Sequence, residues 1–237
     1  MFFEGLIQGL TEFLPISSSG HLALLRAILG EGSVATTVML HVATLLAVVI
    51  FFYRDIFEIL RNLELKIILY LIIGTIPAVI VGMSIGKIVD LVFGSYRTTL
   101  LLLILNGLFI LGTGFVSPHN RRINLERALI IGIYQAIAIL PGISRSGVTI
   151  AIALYLGVNP QEAFRFSFLL SIPAIAGAGL LKAGHLKAFT TIWPGFIISF
   201  LSGLLALYLV RRTVITRTFY LFGIYCLLVG SIGLIFF

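Results

Sequence analysis

Long apolar runs that are nearly free of charge recur along the chain, and they constrain its fold more than any other feature. A membrane-spanning helix needs about 20 apolar residues to cross a hydrocarbon core of about 30 Å. Six stretches of this sequence have a composition and length suited to such a crossing. They are Val34–Phe52, Ile67–Gly86, Thr98–Val116, Phe166–Leu181, Trp193–Val210 and Phe219–Phe237.

The composition argues against a water-soluble domain. Of the 237 residues, 59% are hydrophobic and 11% are charged, and the mean hydropathy is +1.16. A soluble domain carries about 25% charged residues, so this chain has too few polar side chains to cover a water-facing surface. Its 16 basic residues outnumber the 9 acidic ones, but they lie mostly in short loops. That placement favours contact with membrane lipids and argues against nucleic acid as a partner.

Two further apolar regions are interrupted by polar residues at their centres. Phe2–Leu29 contains TEFLPISSSGH, and Ala128–Leu156 contains LPGISRSG. Irregular backbone at membrane depth is tolerated only where it is buried in protein or lines a wet cavity. Each region therefore predicts a re-entrant pair of short helices that enters and leaves the membrane on one side. A single kinked span is the alternative.

The interrupted regions also relate the two halves of the chain. When the sequence is shifted by 127 residues, GLIQ at 5–8 falls on GIYQ at 132–135, and SSSG at 17–20 falls on SRSG at 144–147. Each half would then hold one re-entrant pair and three spans. Because three is odd, the second half inserts upside down relative to the first, which is an inverted repeat.

The expected fold is thus an all-α integral membrane protein with six transmembrane helices, two re-entrant helix pairs and an inverted-topology repeat. It forms a single membrane domain over residues 1–237, with halves at about 1–120 and 121–237. In this topology ten basic loop residues lie on one side and five on the other. The richer side is expected to be cytoplasmic, which puts both termini on the outer side of the plasma membrane.

Three ionisable residues stand out near the polar centres of the interrupted regions: Glu12, His21 and Arg145. Such residues are costly within a membrane and are usually functional. In an inverted repeat the two polar tips approach each other, so we expect one shared pocket. Two polar residues of the six uninterrupted spans are interpreted as structural. His41 is expected to contact a neighbouring helix, and Asn106 is expected to hydrogen-bond between helices.

The first motif, QGLTEFLPISSSGH, has the features of an anion site. Gln8 and Glu12 are four residues apart and share one face of a helix, which Pro15 ends. Hydroxyl groups and free backbone amides at the start of the next helix bind anions. The hydroxyls that follow the break belong to Ser17, Ser18 and Ser19, with His21 just beyond them.

The second motif, PGISRSGVT, places a guanidinium among hydroxyl groups. Arg145 lies between Ser144 and Ser146, and Thr149 follows one turn later. An arginine presents a planar fork of donors that matches a phosphate group, and the neighbouring hydroxyls add donors for the same anion. This motif therefore indicates phosphate binding inside the membrane.

Together the two motifs fit phosphoryl transfer, which needs charge neutralisation, a nucleophile and proton transfer. Arg145 supplies the charge, Ser18 or a water supplies the nucleophile, and His21 and Glu12 supply acid–base groups. Glu12 and Gln8 offer oxygen ligands for a divalent cation. A site within the bilayer implies an amphiphilic substrate whose phosphate enters the pocket while its lipid tail lies between helices.

These two motifs, in this order and far apart, closely resemble the signature motifs of the bacitracin-resistance family of undecaprenyl-diphosphate phosphatases, and the likeness covers the whole chain. The resemblance implies an enzyme that removes the terminal phosphate from undecaprenyl diphosphate to give the monophosphate carrier lipid of cell-wall synthesis. It also implies dependence on Mg2+ or Ca2+ and a pocket that opens to the outer side.

By motif position, the resemblance implies a role for each residue of the two tips. Glu12 matches the essential acidic residue and is the expected metal ligand, Ser18 matches the proposed nucleophile, and Arg145 matches the phosphate-binding arginine. The family carries Glu or Gln at the position of Gln8, and a glutamine there leaves the anionic roles to Glu12. His21 accompanies Ser18 in the catalytic set, and the substrate-binding positions are Gln8, Ser17, Ser19, Ser144, Ser146 and Thr149.

Some alternatives stay open from the residues alone. A polyprenyl-phosphate transporter or flippase without hydrolysis is the second functional hypothesis, because inverted repeats with broken helices are typical of transporters. The nucleophile is Ser18, His21 or water. The chain length of the polyprenyl substrate and the formation of a homodimer are equally open.

Overall fold

The structure is a computed structural model that describes residues 2–22, 34–84, 95–117, 120–181 and 189–236. Within these ranges the regular structure is helical, apart from one isolated bridge between Arg121 and Val158. A 3₁₀ turn at Gly112–Phe115 extends α5, and residues 18–22 are also helical. The helices are α1 (Phe2–Phe13), α2 (Val34–Phe51), α3 (Tyr53–Arg61), α4 (Leu65–Ser84), α5 (Tyr96–Leu111), α6 (Leu125–Ile137), α7 (Arg145–Tyr155), α8 (Pro160–Leu181), α9 (Phe189–Ile215) and α10 (Leu221–Phe236).

Several of the described helices are long and apolar enough to cross a membrane. Three meet this standard alone: α4 at Leu65–Ser84, α5 with its 3₁₀ extension at Tyr96–Phe115, and Trp193–Ile215 within α9. A fourth is gained if α2 and α3, which are bent by 65° at their junction, form one span. The chain is therefore a multi-pass membrane protein, as its apolar runs predict.

The remaining predicted spans are also helical. Helix α8 has 22 residues and covers the predicted Phe166–Leu181, but it begins earlier, at Pro160. Helix α10 covers the predicted last span with 16 residues. The full six-span arrangement stays a prediction, because Ile67–Gly86 and Phe219–Phe237 end at residues outside the described ranges and residues 182–188, between α8 and α9, also lie outside them.

Glycines let the two interrupted regions pack closely against spanning helices. Helix α1 packs on α9, and α6 packs on α4. A Cβ atom at Gly5 would overlap the backbone of Gly195, and one at Gly132 would overlap the backbone of Gly74. Small residues at such crossings allow helix backbones to touch, which is how helices gain contact area in a membrane.

The second interrupted region is a helix pair whose two ends meet. Helix α6 ends at Ile137, the break covers residues 138–144, and α7 begins at Arg145. The N–H of Arg121, before α6, donates to the carbonyl of Gly157, after α7, at 3.1 Å. The chain thus returns to the place where it entered, and the polar break lies at the far tip.

The first interrupted region has the same sequence of helix, break and helix. Helix α1 ends at Phe13, and a second helical stretch begins at Ser18. The predicted return of this region falls on residues 23–33, which lie outside the described residues. Phe13 itself is fully buried and packs edge-on against Phe168 of α8, with ring centroids 5.6 Å apart. The end of α1 is therefore anchored in the aromatic core.

Candidate active site

The carboxylate of Glu12 is the centre of a buried polar cluster at the end of α1. Gln8 lies one turn earlier, and its Nε2 donates to Glu12 Oε2 at 3.0 Å. The hydroxyl of Ser18 donates to the same oxygen at 2.8 Å, and Arg145 Nη2 donates to Oε1 at 3.2 Å. The side chain of Glu12 is 9% exposed and that of Arg145 is 14% exposed. One carboxylate thus joins the two tips across 133 residues of sequence.

Local backbone geometry brings Ser18 to this carboxylate. Pro15 follows the end of α1, and Ser17 has a φ of 68°, in the left-handed region that only few side chains adopt. The chain therefore reverses within residues 14–17 and starts a new helix at Ser18. A hydroxyl at this position faces back toward the last turn of α1, which is where Glu12 lies.

The second tip presents Arg145 in the same way. Gly142 has a φ of 96° and lies against the backbone carbonyl of Thr99, so a glycine suits the position for two reasons. Ser144 then caps α7, because its hydroxyl accepts from the N–H of Gly147 at 3.2 Å. Arg145 is the first residue of the helix that this cap starts.

The serine turns of the two tips have matching hydrogen bonds. In each turn the first hydroxyl lies 3.2 Å from the hydroxyl two residues later: Ser17 with Ser19, and Ser144 with Ser146. In each turn the same first hydroxyl also accepts from the backbone N–H of the glycine three residues on. The matching positions are separated by 127 residues, the shift that aligns the two motifs in sequence.

The hydroxyls predicted to bind substrate at the second tip are buried and bonded to protein. Ser146 donates to the carbonyl of Phe13 at 2.9 Å, which ties the second tip to the first. Thr149 donates to the carbonyl of Arg145 at 2.7 Å and pairs with Ser167 at 2.6 Å. In this structure these hydroxyls hold the tips in place, and their contact with substrate stays a prediction.

Arg145 has donor capacity that its protein partners do not use. Its Nη2 binds Glu12, whereas its Nη1 is buried and has no hydrogen-bond partner among the described residues. An unpaired buried donor is costly, and it is uncommon in native structures unless a ligand serves it. The guanidinium therefore suits an anion that enters between the two tips.

His21 lies on the first tip, and both of its ring nitrogens have partners. Nδ1 is 2.9 Å from the carbonyl oxygen of Ser17, and Nε2 is 2.9 Å from the hydroxyl of Tyr225 on α10. The two rings are stacked, with centroids 5.8 Å apart and an interplanar angle of 14°. A carbonyl can only accept, so Nδ1 carries a proton, and in the neutral ring Nε2 accepts from the Tyr225 hydroxyl.

Three further residues lie near the site: His41 and Asn106, which the sequence predicts to be structural, and Tyr225, which it does not single out. His41 Nε2 lies 3.7 Å from Glu12 Oε2, while its Nδ1 faces the carbonyl of Thr37 at 2.7 Å. Asn106 accepts from the N–H of Ser144 at 3.0 Å and donates to the carbonyl of Pro15 at 3.4 Å. Tyr225 binds His21, as described above. Polar residues in apolar spans are a signal for His41 and Asn106, but tyrosine is common in membrane helices and gives none.

The oxygen donors at this site fit a cation that the substrate helps to hold. Among the described residues, no three side chains of His, Cys, Asp or Glu come together. The available donors are the Glu12 carboxylate and Gln8 Oε1, a buried oxygen without a partner in the described part of the chain. Mg2+ is often bound by one or two carboxylates plus substrate phosphates, so one carboxylate and an amide suffice beside a diphosphate.

Comparison with known proteins gives one consistent family. The family model described as bacitracin resistance protein BacA matches residues 1–232. A protein of Methanococcus maripaludis strain C7 named undecaprenyl-diphosphatase is 43% identical over 242 residues, which cover 98% of this chain and 97% of the relative. Proteins of the same name from Korarchaeum cryptofilum and Christiangramia forsetii are 40% and 41% identical, covering 95% and 98% of this chain and 94% and 95% of the relatives.

Proposed function

The chain belongs to the bacitracin resistance protein BacA family, and from that premise we propose that it hydrolyses undecaprenyl diphosphate. The products are undecaprenyl phosphate and inorganic phosphate. The observation that carries this proposal is the hydrogen bond of 2.8 Å between Ser18 and Glu12, with Arg145 on the other oxygen of the same carboxylate. The Ser18 hydroxyl as nucleophile, the Glu12 carboxylate as base and the Arg145 guanidinium as anion-binding group thus lie in direct contact.

In the first step, the Ser18 hydroxyl attacks the terminal phosphorus and its proton passes to Glu12. The bond from that phosphorus to the bridging oxygen breaks, and undecaprenyl phosphate leaves with the bond's electron pair. Glu12 suits the role of base because its Oε2 already accepts a hydrogen bond from the Ser18 hydroxyl, with the two oxygens 2.8 Å apart.

In the second step, a water attacks the phosphoserine and releases inorganic phosphate. Glu12 gives the first proton to the departing Ser18 oxygen, takes a proton from the attacking water and passes that proton to the phosphate product, so the carboxylate is regenerated. The alternative is that a water activated by Glu12 attacks the terminal phosphorus directly, in which case no phosphoserine forms. The contacts of His21 favour neither step, because its two nitrogens bind Ser17 and Tyr225.

Arg145 neutralises the phosphoryl oxygens during both steps. Its unpaired Nη1 supplies one donor, and Nη2 can exchange Glu12 for a phosphate oxygen. Preorganised charge of this kind is often the largest contribution to phosphoryl-transfer catalysis.

We also propose that a divalent cation, Mg2+ or Ca2+, binds with the substrate at Glu12 and Gln8. When bound, such an ion would neutralise charge on the diphosphate as a Lewis acid. The donor set supports this proposal, because Gln8 Oε1 is a buried oxygen without a protein partner in the described residues.

The position of the site supports a lipid substrate that enters from within the membrane. The tips lie at the ends of α1 and α6, which pack on the apolar helices α9 and α4. The loop charges favour an opening toward the outer side, and an inverted repeat accounts for the matched serine turns. A homodimer stays a prediction without a contact that argues for it.

Transport without hydrolysis is not supported. The relatives cited above are named as diphosphatases. A transporter would need Arg145 to bind its anion, but it would not need a serine hydroxyl bonded to a carboxylate at 2.8 Å.

The test is release of phosphate from undecaprenyl diphosphate by the purified protein in detergent, with and without EDTA. Ser18→Ala should lower the rate by about 10³-fold or more, and Glu12→Gln by about 10²- to 10⁴-fold. Ser84→Ala is the matched control, because the Ser84 hydroxyl bonds only its own helix at Ile80, in the described structure. Folded protein that releases no phosphate with any divalent metal would overturn the proposed function.

A further inference from the structure

His41 of α2 lies beside the Glu12 cluster and has one ring nitrogen without a hydrogen-bond partner in the described part of the chain. Its Nδ1 is 2.7 Å from the carbonyl oxygen of Thr37, one turn earlier in the same helix. A carbonyl can only accept, so Nδ1 carries a proton, and in the neutral ring Nε2 holds a lone pair. This Nε2 lies 3.7 Å from Oε2 of Glu12.

The gap between Nε2 and the carboxylate separates two groups that both accept. An imidazole lone pair and a carboxylate oxygen repel each other unless a proton or a metal ion lies between them. The distance of 3.7 Å is too long for a hydrogen bond, which spans about 2.7–3.2 Å. It does suit two ligands of one ion, because metal–ligand bonds of about 2.0–2.2 Å place neighbouring ligands about 3–4 Å apart.

The bond from Nδ1 to the Thr37 carbonyl is the support that metal-binding histidines almost always have. A ligating imidazole donates its other N–H to a carboxylate, a carbonyl or a water, which fixes the ring and aims its lone pair. His21 differs, because its Nδ1 faces the Ser17 carbonyl but its Nε2 already faces the hydroxyl of Tyr225 at 2.9 Å. Of the histidines that the structure describes, His41 is therefore the one with a lone pair left for a cation.

Gln8 supplies a further donor at the same carboxylate oxygen. Its Nε2 donates to Glu12 Oε2 at 3.0 Å, and the Oε1 of the same amide group is buried without a partner in the described ranges. An amide that turns over exchanges these two atoms, because its oxygen and nitrogen are nearly alike in size and shape. Gln8 Oε1, Glu12 Oε2 and His41 Nε2 can then serve one ion together.

We propose that His41 Nε2 is a third protein ligand of the divalent cation, beside Glu12 and Gln8. The proposal rests on the cation of the proposed function and adds the residue that selects the metal. One imidazole beside two oxygen ligands favours a transition metal such as Mn2+ over Ca2+, which takes oxygen ligands. The side chain of His41 is 34% exposed, against 9% for Glu12, so the ring is the more open of the two to an entering hydrated ion.

The experiment is electron spin echo spectroscopy of Mn2+ added to the full chain, purified without a polyhistidine tag. A nitrogen bound directly to Mn2+ modulates the echo, whereas oxygen ligands do not. The wild-type protein should show this modulation, and competition should show that it binds Mn2+ about tenfold more tightly than Ca2+. His41→Gln should lose the modulation and most of that preference but keep the ion, because an amide oxygen replaces the nitrogen. His41→Leu should weaken Mn2+ binding by about tenfold or more.

His21→Gln is the matched control for the nitrogen signal. Both ring nitrogens of His21 have protein partners, so this variant should keep the modulation. Three results would overturn the proposal: wild-type protein that binds no Mn2+, bound Mn2+ without nitrogen modulation, or modulation that persists in His41→Gln. Phosphate release with and without EDTA, measured on the same samples, reports on the proposed function separately. Metal-dependent release with an unmodulated Mn2+ echo would remove His41 as a ligand and leave the phosphatase in place.

Discussion

Ser18 and Arg145 occupy matching positions in the two serine turns, 127 residues apart, and both donate to the carboxylate of Glu12. Each is flanked by two serines whose hydroxyls lie 3.2 Å apart, and each stands at the start of a helix. The two turns therefore hold different chemistry on the same scaffold: a hydroxyl at one tip and a guanidinium at the other. Glu12 itself has no acidic counterpart, because Ile139 stands at the matching position.

This asymmetry predicts that the guanidinium is needed for turnover but not for folding. Arg145→Ala should abolish phosphate release, and Arg145→Lys should lower it by about 10²-fold or more, because an ammonium offers no planar fork. The measurement is phosphate release from undecaprenyl diphosphate, with monodispersity in detergent as the check on folding. Arg212→Ala, an exposed arginine of α9, is the control. Near-normal activity of Arg145→Ala would refute the phosphate-binding role.

The bond between Ser18 and Glu12 predicts a covalent intermediate. Acid quenching of the enzyme during turnover should trap phosphate on Ser18, which peptide mass spectrometry would detect. Ser18→Ala should give no phosphopeptide and no activity, because the attacking oxygen is gone. If Ser18→Ala keeps substantial activity, the water activated by Glu12 is the nucleophile instead.

Much of the site follows from the sequence, because membrane burial makes polar residues informative. Glu12 and Arg145 stand out in apolar regions, and the breaks at Pro15 and Gly142 indicate tips rather than spans. The structure brings Glu12, Gln8, Ser18 and Arg145 into contact, as expected from those features.

What the sequence could not supply is the rotation of each spanning helix. His41 faces Glu12 only because α2 packs beside α1 with that side inward, and no local pattern fixes this choice. The same holds for Tyr225, which meets His21 across 204 residues of sequence. Contacts of this kind depend on packing between distant helices and not on periodicity.

The Tyr225 contact predicts a positioning role through His21. Tyr225→Phe keeps the stacked ring but removes the donor to Nε2, so we expect turnover to fall by about fivefold, the value of one hydrogen bond of about 1 kcal/mol. KM should change little if the bond orients His21 for catalysis alone. Tyr225→Ala should cost more, because stacking is lost too. A wild-type kcat for Tyr225→Phe would leave the hydroxyl without a role in the reaction.

Replacement of Asn106 should lower both the stability and the activity of the protein. Its side chain is buried in α5 and binds the carbonyl of Pro15 at the first tip and the N–H of Ser144 at the second. Asn106→Leu would leave the N–H of Ser144 buried without a partner, at about 1–3 kcal/mol, and would leave the carbonyl of Pro15 with only the Cys226 thiol at 3.4 Å. The melting temperature in detergent should fall, and turnover should fall further than unfolding explains, because the distance from Ser18 to Arg145 would no longer be fixed.

Asn106→Asp separates these two effects. When ionised, the introduced carboxylate keeps the acceptor for the N–H of Ser144 but cannot donate to the carbonyl of Pro15, which then keeps only the Cys226 thiol at 3.4 Å. We expect a melting temperature between those of the wild type and Asn106→Leu. Thr113→Val serves as a control. Thr113 lies in the 3₁₀ extension of α5, and within the described chain its hydroxyl donates only to the carbonyl of Ile110. If Asn106→Leu melts and turns over like the wild type, the two tips are held together by Ser146 and Glu12 without help from α5.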